Sequence, residues 1–372
     1  MTLFARARNI TTSIRKAAQA RASYGIPYTT QLREILRNRL GPTRLSVQEY
    51  YDYALFKRTD GAAHWYGGWR LRSKLPDQLN DPSWSAVSHD KLILHTTLKA
   101  NAVPTPELYA FQWHRPRVVS DAPVILSRQE LTAHLRTKMQ YPAFCKPVRG
   151  NLGQDAYSIV RYDREADSLH FGDGTFSSPE TFAQTLDRDD AYGRLTGYGY
   201  MFQEMLGPHP KIADVCGPRL CTVRLAMLVS DAGPEPFRAV WKIATGSSMI
   251  DNFFHGSTGN LLAGLNIQTG EVNRVVSGVG FNQTKVERHP DTGERLLGIV
   301  LPSWEETISM GVKAASIFAG CRWQSWDIAI TPAGPIVLEM NHVADIDLLQ
   351  HGCGQGIYDE KLEAFLYTYR RH

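Results

Sequence analysis

Cysteine is scarce in this 372-residue chain, and long apolar runs are missing. The five cysteines are odd in number and scattered, which argues against a disulfide framework and favours a reducing compartment. Neither Cys216 with Cys221 nor His351 with Cys353 has a second pair at matching spacing, so a zinc site is disfavoured. No segment reaches the roughly 18 uninterrupted apolar residues of a membrane-spanning helix, and the N-terminus lacks the apolar core of a secretory signal. We therefore expect a cytoplasmic protein.

The net charge is only +4, but the charge is unevenly distributed. Before residue 45 the chain carries nine arginines and lysines against one acidic residue, Glu34. This segment has no platform of stacking aromatic residues and no known nucleic-acid-binding module, so we expect no nucleic-acid partner. Two interpretations remain. It makes a weak contact with an anionic membrane surface, or, as we favour, it is a helical face that packs on the body through Ile35, Leu36 and Leu40.

Apolar periodicity predicts helices in the first hundred residues and a mixture of strands and helices after Pro104. Helices are predicted at 32–40, 47–56 (capped by Ser46), 88–100, 178–186 and 303–319. Strands are predicted at 118–126, 143–148, 157–162, 201–206, 219–230 and 237–244. With 43% hydrophobic and 21% charged residues, the length suits two or three packed units. The predicted fold class is α+β.

The most informative segment lies near the C-terminus, where residues 325–341 predict a β-hairpin with a five-residue connection. Pairing of Ile330 with Ile336 places Asp327 directly opposite Glu339. Side chains alternate along a strand, so the hairpin has an apolar and a polar face. The apolar face holds Ile328, Ile330, Ile336, Leu338 and Met340, and the polar face holds Asp327, Glu339 and Asn341.

Two carboxylates directly opposite one another repel unless a cation lies between them. Two carboxylates and an amide form an all-oxygen ligand set, which suits Mg²⁺, an ion that also binds nucleotide phosphates. The alternative is that this face is exposed and its charges are hydrated. The sequence thus predicts a magnesium site formed by Asp327, Glu339 and Asn341.

A lysine followed by a glycine loop lies upstream of the hairpin. Lys146 can contact phosphate as a point charge, and the turn from Gly150 to Gly153 lets backbone N–H groups approach anionic oxygens. The segment matches neither the P-loop nor the Rossmann fingerprint, and glycine turns are common for steric reasons alone. Further on, the run 202–206 ends before a Gly-Pro pair, where free backbone groups can hydrogen-bond adenine, although a plain strand end is the alternative.

The order of these pieces resembles the ATP-grasp superfamily and is most similar to its sugar-transfer-associated branch. The pieces are a lysine near an early helix, Lys146-Pro147 with the glycine loop, Gln203-Glu204, an arginine-bearing strand and the Asp…Glu-x-Asn hairpin. The resemblance covers about residues 85 to 350, and the hairpin is its most specific part. It implies an ATP-grasp fold of two α+β lobes that clasp ATP, preceded by an N-terminal helical and α/β region. The implied units are an N-terminal helical and basic region (1–85), a linker and pre-ATP-grasp α/β region (86–130), a first lobe (131–206) and a second lobe with the metal-binding hairpin (207–372).

The resemblance also implies roles for single residues, with ATP and Mg²⁺ as cofactors. Arg224 and Lys242 would be catalytic: Arg224 would steady the transferred phosphoryl group or acyl phosphate, and Lys242 with Asp251-Asn252 would lie in a stretch that faces the nucleotide or the substrate. Residues 150–156 would form a flap over the phosphates. The residues implied to contact ATP are Lys91, Lys146, Gly150, Gly153, Gln203, Glu204, Met205 and Leu206. The segment after Asp251-Asn252 departs from the glycine pair of the branch, so the acceptor substrate stays open.

The implied activity is that of a carboxylate–amine ligase, in which a carboxylate takes the γ-phosphoryl group of ATP and an amine then displaces phosphate. Small-molecule carboxylate and amine substrates are therefore the expected partners. No Gly-x-Ser-x-Gly elbow or arranged Cys/His pair occurs, which agrees with a reaction that needs no protein nucleophile. Two alternatives stay open: a kinase of the same fold that phosphorylates a hydroxyl of a sugar or other small molecule, and a non-catalytic ATP-binding scaffold in polysaccharide or cell-envelope assembly.

Overall fold

The computed structural model describes residues 3–58, 60–115, 117, 122–150, 154–191, 198–246, 248 and 250–371. The α-helices in these ranges are α1 (Leu3–Tyr24), α2 (Tyr28–Leu40), α3 (Val47–Asp52), α4 (Trp69–Leu79), α5 (Ser85–His89), α6 (Lys91–Ala100), α7 (Arg128–Thr137), α8 (Pro179–Ala191), α9 (Pro210–Cys216), α10 (Trp304–Ile317), α11 (Ile346–Cys353) and α12 (Glu360–Tyr369). None of them is long and apolar enough to cross a bilayer.

The strands belong to two sheets. They are β1 (Leu108–Gln112), β2 (Val124–Ile125), β3 (Ala143–Pro147), β4 (Tyr157–Asp163), β5 (Ser168–Phe171), β6 (Phe176–Ser177), β7 (Tyr200–Glu204), β8 (Thr222–Ser230), β9 (Gly233–Ile243), β10 (Leu261–Leu265), β11 (Val272–Ser277), β12 (Thr284–Lys285), β13 (Trp323–Thr331) and β14 (Gly334–Asn341). Most predicted strands are therefore present, and the helix expected at 178–186 continues to Ala191.

The N-terminal helices surround a cluster of aromatic side chains. Ser46 caps α3 as predicted: its Oγ accepts from the Glu49 N–H at 3.3 Å, and the Glu49 carboxylate accepts from the Ser46 N–H at 2.8 Å. This cap fixes the start of α3, whose Tyr50 and Tyr51 are each 1% exposed. The two rings pack with Phe56 and neighbouring apolar residues.

Helix α2 contacts this cluster differently from the prediction. Ile35 is partly buried against the cluster, but Leu36 and Leu40 are 48% and 84% exposed. The buried face carries Gln31, whose side chain accepts from the Tyr51 hydroxyl at 2.8 Å and donates to two backbone carbonyls. The prediction that Leu36 and Leu40 pack on the body is wrong, because a hydrogen-bonded polar side chain occupies the inner face.

The helix predicted at 88–100 is divided at Asp90. The Asp90 carboxylate accepts from the N–H groups of Leu92 and Ile93 at 3.1 Å each and so begins a new helix, α6. Lys91 is consequently the first residue of α6, and its position at the helix end lets its side chain extend away from the helix.

The first sheet has the strand order β2-β1-β7-β3-β4-β5-β6. β1 and β2 are parallel, and the other neighbours are antiparallel. Its core includes Leu131 and Leu135 of α7 and Phe182 and Leu186 of α8. The strand predicted at 118–126 is present as Val124–Ile125, while residues 118–121 lie outside the described ranges. The sheet includes β1 and β2, which precede residue 131, and the division of the chain into four units stays a prediction.

The second sheet is antiparallel throughout, with the order β12-β11-β10-β9-β8-β13-β14. It separates two cores. One core contains Trp326 and Ile328 of β13 together with residues of α10, and the other contains Trp323 of β13 together with residues of α4, α11 and α12. Asp327 alternates with Trp326 and Ile328, so it lies on the face opposite to α10.

The hairpin of β13 and β14 contains the predicted acidic pair but differs in its turn. Asp327 pairs with Glu339, as predicted. The connection has two residues instead of five, because Thr331 pairs with Gly334. Ile330 therefore pairs with Pro335, and the predicted pairing of Ile330 with Ile336 is wrong.

A bulge beside Asp327 restores the acidic pair. Ile328 pairs with Val337, so Leu338 is the extra residue between this pair and the Asp327 pair. Val337 is 0% exposed in the core, whereas Leu338 leaves the apolar face to which the sequence assigned it. The bulge and the shorter turn each shift the register by one residue, and the two shifts cancel at Glu339.

Candidate active site

Residues from both sheets line one cavity of about 150 Å³. The residues from the first half of the chain are Lys91, Phe144, Lys146, Pro147, Gly150, Gln154 and Ala156. The residues from the second half are Thr222, Lys242, Ile250, Asp251, Asn252, Asp327, Leu338 and Glu339. Both halves contribute cations, and the carboxylates that line the cavity come from the second half.

Three adjacent strands of the second sheet bring Arg224, Lys242 and Asp327 together. Asp327 of β13 pairs with Arg224 of β8, and Lys242 lies two residues beyond the partner of Arg224 on β9. Arg224 binds Asp327 with two hydrogen bonds, Nε to Oδ1 at 2.5 Å and Nη2 to Oδ2 at 2.9 Å. Lys242 Nζ lies 3.3 Å from Asp327 Oδ2. The three side chains are buried, so these charges interact in a region that largely excludes water.

Asp251 balances the charge of this cluster. Its Oδ1 lies 3.3 Å from Lys242 Nζ, and its Oδ2 accepts from the N–H and the hydroxyl of Thr222 at 2.7 and 2.5 Å. Lys242 is thus held between Asp251 and Asp327. Two cations and two carboxylates neutralise one another, which is the condition for keeping four charged groups buried.

The pairings hold Asp327, Arg224 and Lys242 in their charged forms. Burial alone would raise the pKa of Asp327, but Arg224 and Lys242 outweigh it and hold that pKa well below its usual range. Burial would lower the pKa of Arg224, but Asp327 raises it. Burial would likewise lower the pKa of Lys242, but Asp251 and then Asp327 raise it.

Glu339 and Asn341 continue the polar face beside Asp327. Glu339 pairs with Asp327 across the two strands, and Asn341 Nδ2 donates to Glu339 Oε1 at 3.4 Å. The part of the chain that the structure describes contains no cluster of three His, Cys, Asp or Glu side chains, so the amide of Asn341 is needed as a third ligand. Two carboxylates and an amide oxygen fit a hard cation such as Mg²⁺. The donor set is compatible with the predicted site, and the assignment stays a prediction.

The first half of the chain contributes Lys91 and Lys146. The Lys91 ammonium donates to the Gly150 carbonyl at 2.6 Å, and Lys146 lines the cavity from β3. Burial, followed by the charge of Lys91, lowers the pKa of Lys146 to about 8, although Glu339 and Asp327 act in the opposite direction. The positive charge of Lys146 is therefore incompletely balanced by its surroundings, and an anionic ligand would supply the missing negative charge.

The four predicted adenine contacts lie where the chain passes from the first sheet to the second. Gln203 and Glu204 end β7, and Met205 and Leu206 follow in the connection. A hydrogen bond of 2.8 Å from the N–H of His209 to the carbonyl of Ile330 joins this connection to β13. The four residues are not among those that line the cavity described above, so their contact with adenine stays a prediction.

The glycine loop is described only at its edges. Gly150 lines the cavity with a φ of 152°, and a Cβ atom there would lie 3.0 Å from Cγ of Pro147. Gly153 lies outside the described residues, as do residues 151 and 152. The flap over the phosphates therefore stays a prediction.

Four residues that line the cavity are absent from the predicted site, namely Phe144, Thr222, Ile250 and Leu338. Thr222 lies two positions before Arg224, so strand alternation alone places both side chains on one face and could have indicated it. Leu338 faces the cavity because of the bulge, for which the sequence has no signal.

The sequence profile of the sugar-transfer associated ATP-grasp family matches residues 70–365, which is most of the chain. The chain belongs to this family. Membership confirms the resemblance inferred from the order of the motifs, and N-terminal helices followed by two sheets confirm the expected fold class. The match of the sugar-transfer associated ATP-grasp profile begins in α4, so α1, α2 and α3 lie outside it. Comparison with the sequences of curated proteins finds no match.

Comparison with solved structures finds similarity to several ligases. The ATP-grasp ligase PsnB, complexed with a minimal precursor, is 16% identical, with a TM-score of 0.39 over 78% of this chain and 63% of that chain. The D-alanine-D-alanine ligase from Coxiella burnetii is 12% identical, with a TM-score of 0.42 over 80% and 61%. The VanG D-Ala:D-Ser ligase from Enterococcus faecalis is 13% identical, with a TM-score of 0.43 over 78% and 64%. The chain thus spans less than two thirds of the length of each of these ligases.

Proposed function

We propose that this protein is an ATP-dependent ligase that joins a small-molecule carboxylate to an amine through an acyl phosphate. One observation carries the proposal: cations from both halves of the chain and the acidic groups of the β13–β14 hairpin meet at a single cavity. Phosphoryl transfer depends mainly on positioning and on neutralising charge, and these residue types supply both.

In the proposed complex, the phosphates of ATP lie against Lys91, Lys146 and Gly150, and adenine contacts the connection from Gln203 to Leu206. The phosphates would provide the negative charge that Lys146 lacks in the protein alone. Asp327, Glu339 and Asn341 would hold Mg²⁺. Bound magnesium neutralises phosphate charge and orients the β- and γ-phosphates.

The proposed reaction has two steps. A carboxylate oxygen of the substrate forms a bond to the γ-phosphorus as the bond from that phosphorus to the β-phosphate oxygen breaks, and ADP leaves. The amine then attacks the acyl carbon, the carbon–oxygen bond to phosphate breaks, and the amine loses a proton to give an amide or peptide bond. Arg224 and Lys242 stabilise the developing negative charge, and Asp327 and Asp251 fix their positions.

Mass spectrometry of the products tests this proposal. The protein is incubated with Mg·ATP and pooled carboxylates, amines and sugars, with Glu339→Gln as the control variant. A ligase yields ADP, free phosphate and a conjugate that weighs one water less than its two substrates, and the control yields none of them.

Two other outcomes would overturn the ligase assignment. A product heavier by one phosphoryl group, formed without free phosphate, would identify a kinase of the same fold. The absence of any product together with the absence of ATP binding would identify a non-catalytic protein.

A further inference from the structure

A row of exposed leucines runs along α2. Leu32, Leu36 and Leu40 are 58%, 48% and 84% exposed, and their spacing of four residues places them on one face of the helix. The neighbouring helix α1 exposes Ile10 and Ile14 by 61% and 65%. We call these five residues the apolar stripe. A row of exposed apolar side chains along one helix face is a candidate interaction surface.

Basic residues flank the apolar stripe on α2. At 100° per residue, Arg33 and Arg37 lie on one side of the leucine row and Arg39 lies on the other. Among the described residues, these three arginines form no ion pair. Glu34, the one acidic residue before residue 45, faces inward and accepts a hydrogen bond from the Tyr50 hydroxyl. The surface therefore combines apolar and positive character with almost no opposing charge.

We propose that α1 and α2 dock on an anionic membrane surface. The leucine side chains enter the boundary between headgroups and acyl chains, and the arginines on both sides of the row contact lipid phosphates. Tyr24 and Tyr28, which are 42% and 46% exposed at the corner between the helices, are of a type enriched at membrane interfaces. In the part of the chain that the structure describes, no residue of α1 or α2 lines the cavity between the two sheets, so this surface is distinct from the candidate active site.

An anionic bilayer matches this surface better than a protein partner does. The leucines lie on the outer face of a helix with arginines on both sides. A plane of lipid phosphates can contact the arginines on both sides of the row at the same time. A protein would need two acidic rows that flank an apolar ridge.

Vesicle flotation with the full chain tests the proposal. Vesicles made of equal parts phosphatidylglycerol and phosphatidylcholine are compared with pure phosphatidylcholine vesicles at about 0.1 M salt, where charges are screened over about 10 Å. The protein is expected to float with the anionic vesicles only. Replacing the three leucines by serine, or the three arginines by glutamine, should each weaken binding by about tenfold or more.

Matched substitutions elsewhere keep the test specific. Phe176→Ser, at a side chain that is 75% exposed on β6, and Arg164→Gln, at an exposed arginine of the β4–β5 turn, should leave flotation unchanged. If the triple variants fail to fold, Leu40→Ser, at the most exposed of the three leucines, replaces them.

Three results would overturn the proposal. The first is no flotation with anionic vesicles, and the second is flotation that neither triple variant weakens. The third is a dimer in light scattering that the leucine variant converts to a monomer while vesicles bind neither form, because the apolar stripe would then join two copies of the chain.

Discussion

Two lysines face the same cavity from opposite sheets, and their surroundings shift their pKa values in opposite directions. Lys146, on the first sheet, has a pKa lowered to about 8 by burial and by Lys91. Lys242, on the second sheet, lies 3.3 Å from carboxylate oxygens of both Asp251 and Asp327, and these raise its pKa despite its burial. The same residue type is thus charge-balanced on one side of the cavity and unbalanced on the other.

The difference indicates that the two sheets would contribute differently to the binding of an anionic ligand. The second sheet fixes its cations with its own carboxylates before any ligand arrives, which keeps the geometry around Arg224 and Lys242 preorganised. The first sheet leaves positive charge unbalanced at Lys146. An anionic ligand in the cavity would therefore gain most of its electrostatic stabilisation from Lys146 on the first sheet. On the second sheet it would contact cations whose positions are already fixed.

The largest expected effect is a loss of turnover when either acidic residue of the hairpin is replaced, and the accompanying change in stability distinguishes Asp327 from Glu339. Glu339→Gln should lower turnover by about 10²- to 10³-fold and leave the melting temperature unchanged, because Glu339 has no ion-pair partner among the described residues. Asp327→Asn should lower turnover as much and also lower the free energy of unfolding by about 3 kcal/mol, since Arg224 and Lys242 lose their shared carboxylate. Rates of ADP release and thermal denaturation measure both quantities.

Glu305→Gln, at an exposed residue of α10, serves as the control and should change neither quantity. An Asp327→Asn variant with wild-type stability would contradict the view that this carboxylate neutralises the buried cations.

The next effect compares the two lysines directly by the same substitution. Lys242→Met should lower the free energy of unfolding by about 3 kcal/mol, because it leaves Asp251 and Asp327 short of positive charge. Lys146→Met should raise it by on the order of 1–3 kcal/mol, because it removes a cation whose lowered pKa reports a cost of burial. Urea denaturation near neutral pH measures both free energies of unfolding. Equal losses of stability in the two variants would contradict the difference in charge balance between the two sheets.

The pKa of Lys146 predicts a pH dependence of nucleotide binding. A group with a pKa of about 8 is charged below that pH and neutral above it. Since phosphate favours the charged form, the affinity for Mg·ATP should fall by up to about tenfold per pH unit above 8. Calorimetric titrations across this range measure the slope.

Lys146→Arg provides the matched control, because arginine stays charged throughout that range. Its affinity should be independent of pH, and a wild-type protein that shows the same flat profile would contradict the assignment of the dependence to Lys146.

The smallest effect concerns Thr222. Its hydroxyl donates to Asp251, which in turn holds Lys242, so Thr222→Val should cost about 1 kcal/mol of stability and lower turnover by less than tenfold. Thr245→Val removes a comparable hydroxyl, which donates to the Gly259 carbonyl, and should cost similar stability without affecting turnover. Equal turnover in the two variants would show that Thr222 has no role in positioning Lys242.

The hairpin shows how far the sequence predicts the candidate site. Alternation and the two carboxylates correctly place Asp327 opposite Glu339. The turn length and the bulge escape prediction, because a bulge depends on how β14 fits against its neighbour rather than on a local pattern. Two one-residue errors cancel at Glu339, but Ile336 and Leu338, both assigned to the apolar face, are placed wrongly: Ile336 pairs with Ala329 on the other face, and Leu338 is displaced by the bulge.

The ion cluster and the N-terminal helices show which features local sequence patterns do not predict. Arg224 and Lys242 are each predicted in the site, but their shared contact with Asp327 depends on the strand order β9-β8-β13, which joins residues far apart in sequence. Helical spacing correctly predicts an α2 helix, yet it does not reveal which face is inside. The hydrogen bonds of Gln31 bury the polar face and leave Leu36 and Leu40 exposed.

Isothermal titration calorimetry of ATP, with and without Mg²⁺, tests the central claim most directly, namely that the two sheets hold Mg·ATP between them. The wild-type protein should bind ATP more tightly with magnesium, Glu339→Gln should lose the magnesium dependence, and Lys146→Met should lose affinity in both conditions. The claim would be contradicted if the wild-type protein bound no ATP, or if the wild-type protein and both variants bound ATP with the same affinity and magnesium dependence.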